Sequence, residues 1–384
     1  MTTTARAAVL FGTDRPWEVR EIEVHDPKAG EVLVRWKAAG MCHSDEHFVT
    51  GDMVPSDDLL AMVGVESFFP IIGGHEGAGV VEAVGPGVTS VEVGDHVSAS
   101  FVPSCGRCRY CLTGRANICD AGAGTLMGGM ITDGTHRHFV DGQPVTLMAK
   151  LGTFAELTCV SEMSVIKVDK DLPLECVCLV SCGVATGWGS ATNRADVAPG
   201  DTVVVVGVGG IGMNAVQGAK AAGAARVIAV DPVEFKREKA MEFGATHTFA
   251  SMEDALGEVT ELTRGQMADK VILTPSVMYG DLMAMAQTLT CKGGTMVVTA
   301  VAPMNQEESS INLFNLAMFN KEVKGTIFGS LSPRYDIPRL LELYRSGSLL
   351  LDELITRRYP LDEINTGYQA MRDGENLRGV IVYD

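Results

Sequence analysis

One stretch of the sequence, residues 201–231, constrains the fold more than any other part of the chain. It reads DTVVVVGVGGIGMNAVQGAKAAGAARVIAVD, which is an apolar run, a glycine-rich turn, an Ala/Gly-rich segment and a second apolar run that ends on an acid. The first run is β-branched and has no polar alternation, which is typical of a strand buried on both faces of a parallel sheet. The stretch therefore predicts a βαβ unit.

The turn inside this unit has the spacing G-x-G-x-x-G and predicts a dinucleotide site. Gly207 permits the tight turn, Gly209 lets backbone N–H groups approach a pyrophosphate, and Gly212 lets the helix pack closely on the strand. Gly210 lies in the same turn, at a helix N-terminus whose partial positive charge favours a diphosphate. Asp231 follows Gly212 by 19 residues, where a carboxylate hydrogen-bonds a ribose 2′-OH and repels a 2′-phosphate. This pattern favours NAD over NADP.

Length and charge limit the class of protein. A chain of 384 residues exceeds the size at which one core usually suffices, so we expect two domains. A net charge of −17 argues against nucleic acid or an anionic membrane surface as a partner. No basic N-terminal region precedes an apolar core, and no apolar run approaches the roughly 20 residues that span a bilayer. We therefore predict a cytoplasmic protein, whose ten cysteines serve metal binding or remain reduced in the core.

A second motif lies in the N-terminal half, within a region of short apolar runs and turns that predicts antiparallel strands. The segment SCGRCRYCLTGRANIC spaces its thiols as C-x2-C-x2-C-x7-C, at Cys105, Cys108, Cys111 and Cys119. Four thiolates in one loop bind a tetrahedral ion and leave no open coordination position, which predicts a structural zinc site. An iron–sulfur cluster is the chemical alternative, because thiolates suit both.

The region after the βαβ unit alternates helix and strand patterns, as in EFKREKAMEFGA followed later by KVILT and GGTMVVTAV. This alternation predicts a doubly wound parallel sheet. The fold class expected from the whole chain is therefore α/β, with a β-rich first domain and a Rossmann-type second domain.

These motifs, in this order, resemble those of the zinc-dependent medium-chain alcohol dehydrogenases over nearly the whole chain. The similar stretches include GGHEGAGVVEAVG, CGVATGWGSA, AAGAARVIAVD and VKGTIFG. The resemblance implies a GroES-like catalytic domain formed by residues 1–183 and 327–384, with the zinc lobe at 103–120. It implies a Rossmann NAD-binding domain at 184–326 and an active site in the cleft between the two.

The resemblance also implies the catalytic residues. Cys42, His75 and Cys182 match the ligands of a catalytic zinc, so we expect two zinc ions per subunit. Ser44 and His47 match a proton relay in which the serine hydroxyl takes the alcohol proton and passes it through the cofactor ribose to the histidine near the surface. Two further acids follow ligand-bearing motifs. They are Asp45, expected to orient the imidazole of His75, and Glu76.

On the cofactor side, the resemblance implies that Asp231 holds the adenosine ribose with Lys236 beside it. His43 occupies the position of a basic residue on the pyrophosphate, and Arg378 matches a second phosphate contact. Four apolar or small residues match positions that line the substrate pocket or the nicotinamide. Phe101 and Ile327 belong to the pocket, and Thr186 and Ile211 lie near the nicotinamide.

One stretch departs from the familiar family pattern. Cys42 and His75 are separated by 32 residues, about a dozen more than in the animal enzymes, and the extra sequence is GDMVPSDDLLAMVGVESFFP. This stretch, residues 51–70, is either a lid or a surface loop or subunit contact. The longer spacing resembles the actinobacterial nicotinoprotein alcohol dehydrogenases, which retain NAD and pass electrons to an external acceptor such as a nitroso dye.

The function expected from the sequence is hydride transfer between an alcohol, whose product is an aldehyde or ketone, and NAD. We further expect that NAD is retained, that an external acceptor reoxidises it, and that the protein is a homodimer or homotetramer. One alternative is a thiol-adduct formaldehyde dehydrogenase that uses glutathione or mycothiol. A non-catalytic nucleotide-binding relative is the remote alternative, since fold alone does not guarantee chemistry.

Overall fold

The computed structural model describes residues 2–62, 65, 67–124 and 128–384. The chain divides into two compact units. The first comprises Met1–Cys182, Ser332–Ser346 and Leu351–Asp384, and the second comprises Gly183–Leu331 and Gly347–Leu350. The segment assigned to the second domain from sequence, 184–326, lies within the second unit. Residues 63, 64 and 66 of the 51–70 stretch lie outside the described residues, as do residues 125–127.

The strands lie along the whole chain. In chain order they are β1 Thr2–Leu10, β2 Glu18–His25, β3 Glu31–Gly40, β4 Ile71–Ile72, β5 Glu76–Val84, β6 His96–Ala99, β7 His138–Val140, β8 Gln143–Pro144, β9 Thr146–Leu147, β10 Leu157–Ser161, β11 Val165–Val168, β12 Thr202–Val206, β13 Arg226–Val230, β14 His247–Phe249, β15 Ala268–Leu273, β16 Thr290–Val298, β17 Glu322–Gly325, β18 Ile355–Tyr359 and β19 Arg378–Val382.

The α-helices are concentrated in the second half of the chain. In order they are α1 His43–Val49, α2 Asp57–Met62, α3 Arg109–Leu112, α4 Leu174–Val180, α5 Gly183–Gly189, α6 Gly210–Ala221, α7 Glu234–Phe243, α8 Met252–Leu262, α9 Leu282–Leu289, α10 Leu313–Met318, α11 Pro333–Arg345 and α12 Ile364–Arg372. The helix α2 lies within the 51–70 stretch, where the sequence had suggested only a loop or lid.

The first unit contains two mainly antiparallel sheets. One has the strand order β8-β7-β2-β1-β4-β9, and the other has the order β11-β6-β5-β3-β19-β18 with β10 also paired to β3. In the second sheet β3 lies between β5 and β19, so that Gly40 is opposite both Glu76 and Val380. The C-terminal strand of the chain therefore lies beside the strand that leads to Cys42.

The second unit contains a parallel sheet with the order β14-β13-β12-β15-β16-β17. Numbered from β12, this order is 3-2-1-4-5-6, the arrangement of a dinucleotide-binding doubly wound sheet. The run predicted as a buried strand is β12, and its residues are all buried. The predicted α/β fold class, a β-rich domain joined to a doubly wound parallel sheet, is confirmed.

Each unit has its own apolar core. In the first unit, Trp36, Phe48 and Phe154 are fully buried and belong to a cluster around the β3 sheet. In the second unit, Val204, Ile228 and Val271 belong to a cluster around the parallel sheet.

Along the described residues, no single helix has the length and apolar character needed to cross a membrane. One bent pair, Leu174–Val180 with Gly183–Arg194, passes that criterion by length and composition alone.

Candidate active site

Three residues predicted as catalytic zinc ligands come from three separate turns of the first unit. Cys42 precedes α1, His75 precedes β5, and Cys182 follows α4. Their ligand atoms and a carboxylate oxygen of Glu76 all lie within 4.8 Å of one another, and all four residues are buried. The fold thus gathers two thiols, an imidazole and a carboxyl group from positions up to 140 residues apart in the chain.

The donor set fits a zinc ion. The Nδ1 atom of His75 lies 3.1 Å from Asp45 Oδ2. The Nε2 atom of His75 is buried and has no hydrogen-bond partner among the described residues, which is costly unless an ion takes its lone pair. Two thiolates with one imidazole form a zinc ligand set that leaves a fourth position open.

The protonation of this cluster also favours a cation. A hydrogen bond from Cys182, together with His75, lowers the pKa of Cys42 well below its usual value. The same hydrogen bond and burial raise the pKa of Cys182. Burial opposes protonation of His75, but Asp45 and Cys42 outweigh it and raise its pKa well above the usual value. Cys42 is therefore favoured as a thiolate, and a bound cation would displace the protons of Cys182 and His75, because metal ligands must be deprotonated.

Glu76 and Arg378 form a buried ion pair beside the cluster. Arg378 Nη2 donates to Glu76 Oε2 and, at 3.2 Å, to the carbonyl oxygen of Met41. The side chain of Glu76 is 0% exposed and that of Arg378 is 4% exposed. Burial raises the pKa of Glu76 to about 7, although Arg378 opposes this shift. Arg378, which the sequence suggested as a phosphate contact, thus has a carboxylate partner within the first unit.

Asp45 is fully buried in the first turn of α1. Its Oδ1 atom accepts a hydrogen bond from the backbone N–H of Gly74 at 2.7 Å, next to His75 in the chain. Burial raises the pKa of this carboxyl group. Asp45 is therefore anchored to the backbone beside the imidazole that its other oxygen faces.

The two residues suggested for a proton relay both lie on α1. Ser44 Oγ is 3.7 Å from Cys42 Sγ. His47 was expected near the surface, but its side chain is only 3% exposed, because the chain folds back after α1. Its Nδ1 atom lies 3.1 Å from Asp52 Oδ2. Asp52 and His47 are five residues apart in the sequence, and this spacing alone did not predict their contact.

The four-cysteine loop forms a second cluster of ligand atoms within 4.8 Å. Cys119 is buried and the other three thiols are half-buried. Backbone N–H groups donate to the thiol sulfurs, from Cys108 to Cys105 at 3.3 Å and from Cys111 to Cys108 at 3.4 Å. The N–H of Cys111 and a second backbone N–H lower the pKa of Cys108 to about 6. The loop thus favours thiolates at Cys105 and Cys108, whereas burial raises the pKa of Cys111 and Cys119, whose protons a bound metal ion would displace.

The glycines of the turn in the second unit differ in whether the surrounding structure leaves space for a side chain. A Cβ atom on Gly212 would lie 1.9 Å from the carbonyl oxygen of Gly207, and one on Gly207 would lie 2.5 Å from that of Thr274. A Cβ atom on Gly209 would meet nothing within 4 Å. Gly207 and Gly212 therefore serve packing, while Gly209 borders open space before α6, which begins at Gly210.

Asp231 lies at the carboxyl end of β13 and is 5% exposed. Its Oδ2 atom accepts from the N–H of Val208 and its Oδ1 atom from the N–H of Val233, both at 2.9 Å. The carboxylate therefore connects the glycine turn to the start of α7, which carries the half-buried Lys236. Carboxylate oxygens have further lone pairs for a ribose hydroxyl.

The remaining predicted residues occupy varied environments. The ring of Phe101 lies edge-on to the imidazole of His75, with centroids 5.6 Å apart. His43 is half-buried on α1, with its ring 6.3 Å from that of His47. Thr186 is buried on α5, Ile211 is half-buried on α6, and Ile327 is 46% exposed.

Comparison with known proteins places the chain in a family. The model described as zinc-binding dehydrogenase matches residues 210–346, and the alcohol dehydrogenase GroES-like domain matches residues 28–170. An NDMA-dependent alcohol dehydrogenase of Amycolatopsis methanolica is 53% identical over 98% of both chains. An S-(hydroxymethyl)glutathione dehydrogenase of Paracoccus denitrificans is 38% identical over 98% of this chain and 99% of its own. The crystal structure of benzyl alcohol dehydrogenase from Acinetobacter calcoaceticus superimposes on this chain over the full length of both, with a TM-score of 0.88 and 30% sequence identity.

The chain therefore belongs to the zinc-dependent alcohol dehydrogenase family. It is an oxidoreductase of the alcohol dehydrogenase type that acts on small molecules, as the resemblance implied. The prediction of the family and of the enzyme class is confirmed.

Proposed function

We propose that the protein oxidises an alcohol with NAD and binds two zinc ions per subunit. Cys42, His75 and Cys182 would hold the catalytic ion, and the four-cysteine loop would hold the structural one. The observation that carries the proposal is the gathering of two buried thiols and a buried imidazole, whose Nε2 atom has no hydrogen-bond partner in the described part of the chain, within 4.8 Å. The first unit would be the catalytic domain and the second the NAD-binding domain.

The mechanism assigns each side chain a task. A zinc ion held at this site supplies positive charge that favours loss of the alcohol proton. Asp45 orients the His75 ring, and Arg378 pairs with Glu76 beside the ligands. Ser44 would accept the alcohol proton on its hydroxyl oxygen while giving up its own hydroxyl proton, and His47 would receive the released proton at a ring nitrogen. Phe101, edge-on to His75, excludes water from the apolar part of the substrate site.

The second unit would bind NAD through the glycine turn. The N–H groups at the start of α6 would bind the pyrophosphate, with Gly209 leaving room for it. Asp231 would accept hydrogen bonds from the hydroxyls of the adenosine ribose and disfavour a 2′-phosphate, and NAD held there would supply the hydride acceptor for the reaction.

We extend the proposal to retention of NAD and its reoxidation by an external acceptor. This rests on the relative named as NDMA-dependent and on the 51–70 stretch, which contributes Leu60 and Phe68 to the core of the first unit. A stretch anchored by buried side chains is suited to cover a bound cofactor. Assembly as a homodimer or homotetramer is part of the same proposal.

The test is the absorbance at 340 nm of the purified protein after a small primary alcohol is added, with and without added NAD. A rise limited to one equivalent per subunit in both cases supports retained NAD, and a further nitroso-dye acceptor should then sustain turnover. Continuous formation of NADH only with added NAD contradicts retention but leaves the dehydrogenase intact.

Matched cysteine variants test the metal site. Cys182→Ala should lose one metal ion per subunit and all alcohol oxidation, because a ligand is removed. Cys178→Ala changes an equally buried thiol that lies outside the donor cluster, and it should keep both metal ions. Equal activity of the two variants would contradict the catalytic assignment.

Matched glycine variants test the nucleotide site. Gly209→Ala should keep the fold and weaken NAD binding, since its new methyl group would occupy the open space expected for a phosphate. Gly212→Ala should destabilise the second unit directly, because its methyl group would collide with backbone. Tight NAD binding by a folded Gly209→Ala variant would contradict this site.

The relative named for S-(hydroxymethyl)glutathione supports a second candidate, a thiol-adduct formaldehyde dehydrogenase. Assays of formaldehyde with and without glutathione or mycothiol separate the candidates. Oxidation that depends on either thiol would favour the second candidate, whereas thiol-independent oxidation of simple alcohols favours the first.

A further inference from the structure

His47 has a carboxylate partner that comes from the start of the 51–70 stretch. The Nδ1 atom of His47 lies 3.1 Å from Asp52 Oδ2, and the hydroxyl of Thr50 donates to the same oxygen at 2.7 Å. The side chain of His47 is 3% exposed, whereas that of Asp52 is 22% exposed. The carboxylate therefore lies between a buried imidazole and solvent.

The backbone fixes Asp52 in this position. After α1 ends, the N–H of Thr50 donates to the carbonyl of Glu46 at 2.9 Å, and the N–H of Met53 donates to the carbonyl of His47 at 3.0 Å. These bonds turn the chain back over the helix end that carries His47. The contact between Asp52 and His47 is thus held by main-chain hydrogen bonds on both sides of the acid.

The contact determines which ring nitrogen carries the proton. An ionised carboxylate only accepts hydrogen bonds, so the Nδ1 atom of His47 must be the donor. In the neutral imidazole the Nε2 atom then has the lone pair and is the atom that accepts a proton. Partial burial opposes ionisation of Asp52, yet the hydrogen bonds from Thr50 and His47 outweigh it and lower its pKa.

Asp52 is the counter-ion of His47, because the other titratable groups near the ring are either basic themselves or paired with another residue. His43, one turn earlier on α1, faces the ring of His47 at a centroid distance of 6.3 Å. Glu46, the neighbouring acid on α1, accepts from Arg372 of α12. Among the residues that the structure describes, Asp52 is the one whose carboxylate contacts His47.

We propose, on the basis of the relay in the proposed function, that Asp52 is a positioning residue for proton release. It holds His47 as the Nδ1–H tautomer and stabilises the imidazolium that forms when Nε2 accepts the alcohol proton. One N–H bond forms at Nε2 as the alcohol O–H bond breaks, and the imidazolium then loses its Nδ1 proton to water on the partly exposed side of Asp52. Tautomer exchange through water returns the remaining proton from Nε2 to Nδ1 and restores the starting state. The 51–70 stretch thereby takes part in the proton path.

Nuclear magnetic resonance of the full protein labelled with 15N-histidine tests the contact without an activity assay. His47→Gln identifies the signal of His47 among the eight histidines. In the parent protein the His47 signal should show a protonated Nδ1 and an unprotonated Nε2 at neutral pH. Asp52→Asn should change that pattern and shift the 15N signals of both ring nitrogens, because the Nδ1–H group loses its ionised acceptor. The control Asp57→Asn, an exposed acid of α2, should change neither.

A tautomer pattern of His47 that is the same in the parent protein and in Asp52→Asn overturns the proposal. So does a protonated Nε2 with an unprotonated Nδ1 in the parent protein.

A double-variant comparison tests the function of the contact. The rate of a single turnover of alcohol, followed at 340 nm against pH, should fall roughly 10-fold in Asp52→Asn at neutral pH, since a positioned base contributes about 10²–10⁴-fold. In a His47→Gln background, Asp52→Asn should cause no further loss, because Asp52 acts through His47.

Equal losses from Asp52→Asn in both backgrounds would assign Asp52 a general structural role and overturn the proposal. If His47→Gln alone left the pH profile unchanged, the relay of the proposed function would fail. The labelled-histidine experiment would still decide the contact itself, so the two failures are distinguishable.

Discussion

The two clusters of metal-binding donors differ in how the chain assembles them. Four cysteines within one 15-residue loop form the first, and three of them are half-buried. Donors from residues 42, 75 and 182 form the second, which is fully buried and has the Glu76–Arg378 ion pair beside it. The first cluster requires only local backbone geometry, whereas the second requires the whole first unit to be folded. The difference predicts that the first holds its ion for stability and the second for chemistry.

Partial removal of metal should show most clearly that the two clusters have different roles. With increasing chelator, the first ion lost should abolish alcohol oxidation while the thermal unfolding midpoint changes little. Three protein donors leave a position open to a chelator, whereas four thiolates close the coordination sphere. Metal content, activity and thermal unfolding of the same samples provide the measurement. Loss of stability before activity would mean that exposure, not coordination number, governs release.

Removal of one thiol from the loop should affect stability more than any single change outside the two clusters. Cys111→Ser should leave about one metal ion per subunit and reduce the free energy of unfolding by at least about 5 kcal/mol, since structural zinc contributes roughly 10–16 kcal/mol in small domains. Cys291→Ser, a half-buried thiol outside both clusters, is the control. Metal analysis and urea unfolding measure the effect. Two retained ions in Cys111→Ser would contradict the assignment of the four-cysteine loop as a structural metal site.

The ion pair beside the buried cluster should be the next most sensitive feature. Arg378→Met leaves the Glu76 carboxylate buried without its cation, which should lower the free energy of unfolding by about 3–5 kcal/mol. Arg345→Met breaks exposed ion pairs with Asp169 and Asp171, and should cost much less because solvent screens these charges. Urea unfolding compares the two. A double variant, Glu76→Gln with Arg378→Met, should recover part of the loss, and equal costs for the two arginines would contradict the argument.

The smallest effect should come from the carboxylate that faces His75. Asp45→Asn should weaken metal binding at the buried cluster by about 10–100-fold and leave the four-cysteine loop unaffected. A competitive zinc titration with a coloured chelator measures both affinities in one experiment. Asp57→Asn, on the exposed first turn of α2, is the matched control. A loss of affinity at both clusters would show that Asp45 acts on the fold as a whole.

The sequence predicted those features whose signal is local. The βαβ unit appears as β12, α6 and β13, because the apolar run, the glycines and the acid lie within 31 residues. The four-cysteine loop was likewise evident from spacing alone. The buried cluster was accessible only through the family resemblance, since no local pattern connects residue 42 with residues 75 and 182.

Contacts made by ordinary residue types were missed for the same reason. Asp52 lies among several acids of the 51–70 stretch, and its position against His47 depends on how the chain turns after α1. Arg378 was assigned to a phosphate, and its pairing with Glu76 depends on β19 lying beside β3. The helix α2 was not predicted, since its six residues are too few for a periodic pattern.

The return of the chain to the first unit has a consequence for biosynthesis. A ribosome that has delivered the first 182 residues has supplied every proposed zinc ligand, yet β3 still lacks its neighbour β19 and Glu76 still lacks Arg378. Strand β19 is made only after the whole second unit. We therefore expect that the catalytic ion is bound stably only after β19 has left the ribosome, whereas the four-cysteine loop is complete enough to load its ion much earlier in translation.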